Sequence, residues 1–223
     1  MTKKLILATI VAALGGLLFG FETAVINGAL PYISNFFELT DTMKGATVSA
    51  ALFGCIVGAL FIGRPADKYG RRLMLRILAL LFFVSAVGTG FAPDIYIFVI
   101  FRFLGGIAVG SASVVSPLYI SEIAPAEFRG RLTVSFQLAI VTGILVAFFT
   151  DYLLLDVGIN NWRYMMLSMA IPAVIFYVML FFIGRSPRWL VKEGRIREAK
   201  KVLQSINPHS NADQLIKDIQ LTI

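Results

Sequence analysis

Long apolar stretches, each close to the length of a membrane span, alternate with short polar segments along this chain. The predicted spans cover residues 5–30, 46–62, 72–92, 95–118, 132–155 and 164–183. About 20 apolar residues cross roughly 30 Å of hydrocarbon as a helix, whereas barrel strands alternate apolar and polar residues over about ten positions. The pattern therefore predicts an all-α membrane protein with six transmembrane helices in one bundle.

Composition supports a membrane protein, and the placement of charge gives its orientation. The 223 residues are 58% apolar and 15% charged, more apolar than a soluble domain of this length could bury. The net charge of +7 would suggest a nucleic-acid partner in a soluble protein. Here sixteen of the 20 Lys and Arg residues fall on one side of the predicted spans, and only Lys44 and Arg163 on the other. The positive-inside rule then predicts a multi-pass protein of the cell inner membrane, with both termini in the cytoplasm, the lipid bilayer as surroundings and no nucleic acid bound.

Residues 185–223 differ from the bundle of residues 1–184 and are predicted to be a cytoplasmic linker or tail. Apolar residues from Ile196 to Leu203 share one helical face, and Pro208 ends that helix. Ser210 resembles the N-cap of a second helix through Ile219. We therefore expect short cytoplasmic helices after the six spans.

The segment GRPADKYGRR, residues 63–72, separates the second span from the third. Its four cations and one acid cannot lie in hydrocarbon, where each charge costs roughly 2.5 to 3.5 kcal/mol. Gly63 and Pro65 are expected to end one helix, and Gly70 to form a tight turn before the next. This pattern predicts a cytoplasmic turn between two antiparallel spans.

Two ionisable residues lie inside apolar spans. Glu22 is the only acid of the first span, and Arg102 lies within the fourth. At 1.5 Å per residue, both are roughly 10 to 12 Å below the outer surface, so they can pair. Ionisable residues inside a membrane usually line a transport pathway, although an ion pair can also serve only to fix packing.

Two further features are polar within otherwise apolar or interfacial surroundings. Gln137, in the fifth span, can offer two donors and an acceptor to a hydroxylated ligand, or can link helices. The inner segment 116–131 places Glu122 and Glu127 close to Arg129 and Arg131. Opposite charges packed so tightly indicate either a conformational latch or a solvated loop.

The first and fourth spans share a glycine pattern. The first reads LGGLLFG and the fourth reads LGGIAVG, three spans later. An odd shift of three spans inverts the topology, as in transporters built from three-plus-three inverted repeats. The sequence therefore predicts a 3+3 inverted repeat.

Motifs of catalysis are not found in the sequence. It contains no Walker loop, no zinc-ligand spacing and no nucleophile elbow, and its single cysteine, Cys55, lies in an apolar run. We therefore expect no enzyme activity, no metal site and no cofactor, with any work driven by a gradient.

Several separate stretches resemble one family, the sugar porters of the major facilitator superfamily. They are GGLLFGFETAVING, GRPADKYGRR, FRFLGGIAVG, PLYISEIAPAEFRGR and SPRWL, and the resemblance covers nearly the whole chain. Within that family the chain most resembles bacterial D-xylose and proton symporters. The resemblance implies proton-coupled symport of a pentose or hexose such as D-xylose, with the sugar and a proton as partners.

The resemblance also implies roles for particular residues. Glu22 would take the coupled proton and pair with Arg102, while Phe19 and Gln137 would touch the sugar. A conformational latch would close the cytoplasmic side. Its members would be Gly63, Asp67, Gly70, Arg71, Arg72, Glu122, Arg129, Arg131 and Arg188.

The chain departs from the family pattern at three positions and in length. Glu22 stands where the family usually has aspartate, Ile144 where a polar residue is common, and Arg185 where the family has an acid. Family members have twelve spans, and six are predicted here. We therefore expect either half of a transporter that works as a homodimer or with a second half, or a truncated product. The rival from another class is a non-transporting membrane module, such as a sensor or an assembly partner.

Overall fold

The structure is a computed structural model that describes residues 2–208 and 211–221, and these residues form helices and no strands. The helices are α1 (Lys3–Phe36), α2 (Asp41–Phe61), α3 (Gly63–Tyr69), α4 (Arg71–Gly90), α5 (Ile95–Ile123), α6 (Arg129–Leu154), α7 (Asn161–Ser168), α8 (Ala170–Met179), α9 (Pro187–Lys192), α10 (Ile196–Ile206) and α11 (Ala212–Gln220). Six helical segments of the described chain are long and apolar enough to cross a membrane, with α7 and α8 together forming the sixth. The predicted all-α membrane fold is therefore confirmed.

Residues 31–45, between the first two predicted spans, are mostly helical, so the prediction of a loop there is wrong. Helix α1 continues through Pro31 to Phe36, and Thr40 caps α2 by accepting a hydrogen bond from the Met43 amide. A proline removes only one backbone hydrogen bond, and membrane helices tolerate it where neighbouring helices support the chain. The end of α1 beyond Pro31 packs on Trp162, whose ring lies 5.5 Å from the rings of both Phe36 and Phe37.

The segment 63–72 is more helical than the predicted turn. Residues Gly63–Tyr69 form α3, and only Gly70, with φ +87°, makes the turn into α4. Pro65 is the third residue of α3, where it removes no intrahelical hydrogen bond. A helix does end here, because α2 stops at Phe61, just before Gly63, and the turn at Gly70 is confirmed. Pro65 lies inside α3, so the expectation that it helps to end a helix is wrong.

Two other boundaries move. Helix α5 passes Pro117 and ends at Ile123, so the predicted inner loop at 116–131 shrinks to residues 124–128. The sixth span begins at Asn161, earlier than predicted, and it is interrupted at Met169 between α7 and α8. Trp162, in the first turn of α7, is fully buried. Burial of its aromatic surface against neighbouring rings explains why the span starts earlier.

Glycine contacts show the inverted repeat directly. A Cβ atom on Gly16 or Gly20 of α1 would overlap the carbonyl oxygens of Phe136 or Ile140 in α6. In the same way, a Cβ atom on Gly106 or Gly110 of α5 would overlap carbonyl oxygens of α2, those of Ala51 and Cys55. The matching glycines of the first and fourth spans therefore bring α1 onto α6 and α5 onto α2 by the same close backbone contact. Helices α1 and α5 thus form the centre of the bundle.

The tail forms three short helices that pack together. Trp189, Leu190 and Val191 of α9 form a small apolar cluster with Ala199 of α10 and Ile216 of α11. Helix α9 was not predicted from the sequence, because its six residues are too short to show a period. The predicted cap Ser210 lies outside the described residues, and Asn211 accepts the capping hydrogen bonds of α11.

Candidate functional site

A buried ion pair joins α1 to α5 at the centre of the bundle. Nη1 of Arg102 donates a hydrogen bond to Oε1 of Glu22 and a second one, at 3.1 Å, to the backbone oxygen of Glu22. Each residue is only 2% exposed. The structure therefore brings together the acid and the base that the sequence placed at matched depth. Breaking such a pair by removing one partner typically costs about 3 to 5 kcal/mol, because it leaves a buried charge without compensation.

Small residues make room for this pair. A Cβ atom on Gly105, one turn from Arg102, would lie 2.7 Å from Oε1 of Glu22 and would overlap Oγ of Ser85. Ser85 of α4 donates a hydrogen bond of 2.9 Å to the carbonyl of Phe101. Ser85 was missed in the sequence, where its only signal is one hydroxyl within an apolar span. It places a third helix against the ion pair.

The predicted sugar contacts lie on α1 and α6 at neighbouring levels. Gly16 faces Phe136 and Gly20 faces Ile140, so Phe19 and Gln137 are within about a turn of each other along the two helices. Phe19 is half-buried, and Gln137 is exposed. The side chain of Gln137 therefore lies outside the contact between α1 and α6, so its amide remains available to a ligand or to another protein surface.

Asp151 is a second acid within a span, and its burial was not foreseen. It is 3% exposed near the C-terminal end of α6, where its carboxylate lies against Gly28 of α1. A Cβ atom on Gly28 of α1 would lie 2.6 Å from its Cγ, so only glycine leaves it space. The sequence signalled only a polar residue at the end of a span.

A second cluster of charges lies at the tail side of the bundle. Nη2 of Arg71 lies 2.7 Å from Oδ1 of Asp67 and 2.9 Å from Oε1 of Glu122. Nη1 of Arg71 also donates to the carbonyl of Ala66 at 3.1 Å. These three charged side chains thus link α3, α4 and α5. They line a cavity of about 830 Å³ that also includes Arg129 and Arg188.

The remaining predicted latch residues do not line this cavity. Arg72 points to α8, where it donates to the carbonyls of Leu180 and Phe181. Arg131 is exposed and does not line the cavity. Gly63 begins α3, and Gly70 lies against the ring of Trp189, where a Cβ atom would lie 3.0 Å from Cδ2. The structure therefore gathers five of the nine predicted latch residues around one cavity.

Glu122→Gln is expected to destabilise the protein, and Glu127→Gln is not. Arg71 and Glu122 are 8% and 5% exposed at their side chains, so the substitution leaves a buried guanidinium whose remaining carboxylate partner, Asp67, is half-exposed. The loss should be below the roughly 3 to 5 kcal/mol of a fully broken buried pair. Thermal unfolding in detergent measures it. Glu127 is exposed in the same inner segment and provides the control; equal melting temperatures for the two variants would contradict the assigned role of the ion pair.

The chain is similar to known sugar transporters along nearly its whole length. The family model described as "Sugar (and other) transporter" matches residues 8–223. The chain is 42% identical, over 93% of its length, to a D-xylose transporter of Levilactobacillus brevis, and it covers 46% of that protein. It is 38% identical, over 95% of its length, to the D-xylose-proton symporter of Escherichia coli strain K12, and it covers 50% of that protein.

The fold of the chain also matches that of a transporter of known structure. The partially occluded inward open structure of the xylose transporter XylE from E. coli superposes with a TM-score of 0.94 at 36% identity, covering 99% of this chain and 59% of that chain. The chain spans about half the length of the curated relatives it matches. It therefore belongs to the sugar transporter family of the major facilitator superfamily and corresponds to the N-terminal six-helix half of that fold.

Proposed function

We propose that this chain supplies half of a proton-coupled symporter for a pentose or hexose such as D-xylose. The observation that carries the proposal is the buried pair of Glu22 and Arg102 between the two central helices. Relatives named as D-xylose transporter and D-xylose-proton symporter support the substrate class and the coupling.

Glu22 can couple a proton to movement because its ion pair links two helices. Protonation of the carboxylate removes the negative charge that holds Arg102, while the backbone oxygen of Glu22 still accepts from the same guanidinium. The electrostatic attraction between α1 and α5 is therefore strong when Glu22 is charged and weak when Glu22 is protonated. A proton that binds one conformation better than another shifts the equilibrium between them by that difference in affinity.

The sugar is proposed to bind beside this pair. Gln137 offers amide donors and an acceptor, and Phe19 offers an aromatic ring on the neighbouring helix. Ile144, one helical turn or two beyond Gln137, contributes no hydrogen bond through its side chain. This half therefore provides few polar groups for a sugar with several hydroxyls, which favours a site completed by a second six-helix unit.

A second copy of the chain is the proposed second unit. Six spans place both ends on one side, so two copies inserted alike can be related by a two-fold axis along the membrane normal, as the halves of such transporters are. Helix α2 packs on α5 and α6 packs on α1, so α2 and α6 lie on opposite sides of the central pair. The axis then brings α2 of one copy towards α6 of its partner. Phe19, Glu22 and Gln137 would be presented twice around one cavity.

The charged cavity at the tail side is proposed as the latch that closes this side. Removing Arg129 should weaken the closed state, because its charge faces Asp67 and Glu122 across the cavity. In Arg129→Gln, cysteines introduced on the tail side of the sugar cavity should react faster with a soluble maleimide than in the parent. Unchanged reactivity would leave Arg129 as ordinary surface charge.

Crosslinking combined with sugar uptake tests the paired state. In a Cys55→Ala background, one cysteine replaces Leu52 of α2 and another replaces Leu138 of α6, which are 60% and 67% exposed. We expect crosslinked dimers that take up D-xylose in proteoliposomes. A cysteine in place of Leu80 on α4, 53% exposed on the far side of the bundle, should not crosslink. Gly105 is unsuitable for a probe because a side chain there would collide with Glu22.

Two outcomes would contradict the paired state. Uptake by a strictly monomeric preparation would show that no second copy is needed. A stable dimer that binds no sugar would instead favour a non-transporting membrane module.

A further inference from the structure

A cationic cleft lies on the tail side of the bundle, away from the ion pair of Glu22 and next to the latch cavity, with which it shares Arg71 and Trp189. Its volume is about 290 Å³, and it opens between the start of α4 and the segment that leads from α8 into α9. Five cations line it, and no acid does, among the residues that the structure describes: Lys68, Arg71, Arg72, Arg76 and Arg185. The cleft therefore has a charge that only an anion can balance.

The charge of this cleft is not neutralised within the described chain. Arg71 turns away to Asp67 and Glu122, and the other four cations make no ion pair with a carboxylate in the described ranges. Arg76 and Arg185 both act on Arg72 as like charges. Like charges held together cost free energy, and a bound anion would relieve that cost.

Two of the guanidinium groups are fixed in place by other contacts. Arg72 donates through Nε to the carbonyl of Leu180 at 2.9 Å and through Nη2 to that of Phe181 at 2.8 Å. Arg76 donates through Nη2 to the Leu180 carbonyl at 3.3 Å, and its Cζ lies 4.0 Å from the centre of the Phe181 ring. Both arginines thus cap the end of α8. These contacts hold each guanidinium in a fixed position. They use only some of the N–H groups of each arginine, so the others remain free to donate to a ligand.

Arg185 lines the opposite side of the cleft and, unlike Arg72 and Arg76, does not cap a helix. It is exposed, and its Cζ lies 5.1 Å from the ring of Trp189, whose indole packs against Gly70. No carbonyl of the described chain accepts a hydrogen bond from it. The sequence had singled out Arg185 because it stands where the family pattern has an acid, so its charge adds to the cleft where an acid would cancel it.

An apolar track leads from the cleft into the membrane. Leu73, Ile77 and Leu80 of α4 follow one another at spacings of four and three residues, and they are 44%, 49% and 53% exposed. These spacings place them on one face of the helix, and Leu73 also lines the cleft. A ligand seated here would meet clustered cations at one end and a lipid-exposed apolar stripe at the other, which is the chemistry of a phospholipid.

We propose that this cleft binds the phosphate of an anionic phospholipid in the leaflet on the tail side, with an acyl chain along the stripe of α4. Arginine clusters favour phosphate because the planar guanidinium can donate two parallel hydrogen bonds to it. Basic pockets between membrane helices are known sites for acidic headgroups. The bound lipid would bridge α4 and residues 185–189, and so hold the start of the tail against the bundle.

Native mass spectrometry of the purified full chain tests this proposal with two lipids that share acyl chains. We expect dioleoyl-phosphatidylglycerol to be retained in preference to dioleoyl-phosphatidylcholine. Arg185→Gln should lower the retention of phosphatidylglycerol about fivefold, the effect of roughly one cation near an acidic membrane surface. Arg76→Gln together with Arg185→Gln should lower it further. If the double variant does not fold, the single Arg185→Gln variant alone decides, because Arg185 holds no helix end.

Arg64→Gln provides the matched control. Arg64 is an exposed cation of α3 that does not line the cleft, so its loss removes the same charge from the same side. Retention of phosphatidylglycerol should be unchanged in this variant. Equal losses in Arg64→Gln and Arg185→Gln, or equal retention of the two lipids, would overturn the site. Displacement of the lipid by glycerol 1-phosphate at matched concentration would overturn the lipid assignment in favour of a soluble phosphate.

Discussion

Glu22→Gln is expected to abolish the accumulation of sugar against a gradient and to leave sugar exchange intact. Glutamine keeps the size of the side chain and an oxygen that can accept from Arg102, but it cannot bind and release a proton. Exchange needs only the sugar site and the conformational change. Proteoliposomes separate the two activities. Counterflow of external labelled D-xylose into vesicles loaded with unlabelled sugar is measured without a proton gradient, and accumulation of labelled D-xylose in empty vesicles is measured with one.

Two variants control for damage to the fold. Glu22→Gln leaves the buried charge of Arg102 without its partner, a loss that can cost about 3 to 5 kcal/mol. Glu22→Gln combined with Arg102→Gln removes both charges and should be more stable, yet still uncoupled. Glu22→Asp restores an acid of the kind the family usually carries, and it should retain accumulation. Accumulation by either glutamine variant would show that the coupled proton binds elsewhere.

Gly143→Ala is expected to lower the melting temperature by about 2 to 12 °C, the second largest effect. Its new Cβ would overlap the carbonyl oxygen of Leu17 and lie 2.9 Å from the carbonyl carbon, so a backbone and no flexible side chain stands in the way. Overpacking of this kind typically costs about 1 to 3 kcal/mol, and each kcal/mol shifts the melting temperature of a chain this long by about 2 to 4 °C. Thermal unfolding in detergent measures the shift.

Gly130→Ala is the matched control on the same helix. A Cβ atom on Gly130 would meet nothing within 4 Å, and alanine favours a helix over glycine by about 1 kcal/mol. This variant should melt at the parental temperature or slightly above it. If Gly143→Ala behaves like Gly130→Ala, the close contact of α1 with α6 does not hold the bundle together.

The number of spans and their inverted relation could be predicted because both depend on local patterns. Apolar length defines a span by itself, and the glycines that repeat between the first and fourth spans define the faces that meet. Only the structure shows which residues these glycines contact. Gly20 faces Ile140, and Gly110 faces Cys55, contacts that join segments far apart along the chain.

Helix ends were predicted less well, because proline and glycine do not end a helix where neighbouring helices support it. Pro31 and Pro117 both lie inside helices, and Pro65 lies in the first turn of α3. In each case the chain loses at most one backbone hydrogen bond, which packing against neighbouring helices outweighs. Local propensity cannot show that support.

The centre of the candidate site could be predicted, and its periphery could not. Glu22 and Arg102 are recognisable because charge is rare inside a span, and helical rise gives their depth. Arg72 was predicted to join the latch, yet it caps the end of α8, because the carbonyls of Leu180 and Phe181 reach it only in the folded bundle. The burial of Asp151 against Gly28 likewise depends on the packing of two distant helices.

Proton movement driven by sugar is the most direct test of the central proposal, that a pair of these chains couples a sugar to a proton through Glu22. Crosslinked dimers are reconstituted into weakly buffered vesicles with no ion gradient, and D-xylose is added outside while the external pH is recorded. Symport predicts a rise in external pH as protons enter with the sugar, with no change for L-xylose and none in Glu22→Gln. Entry of labelled D-xylose without a change in pH would contradict proton coupling.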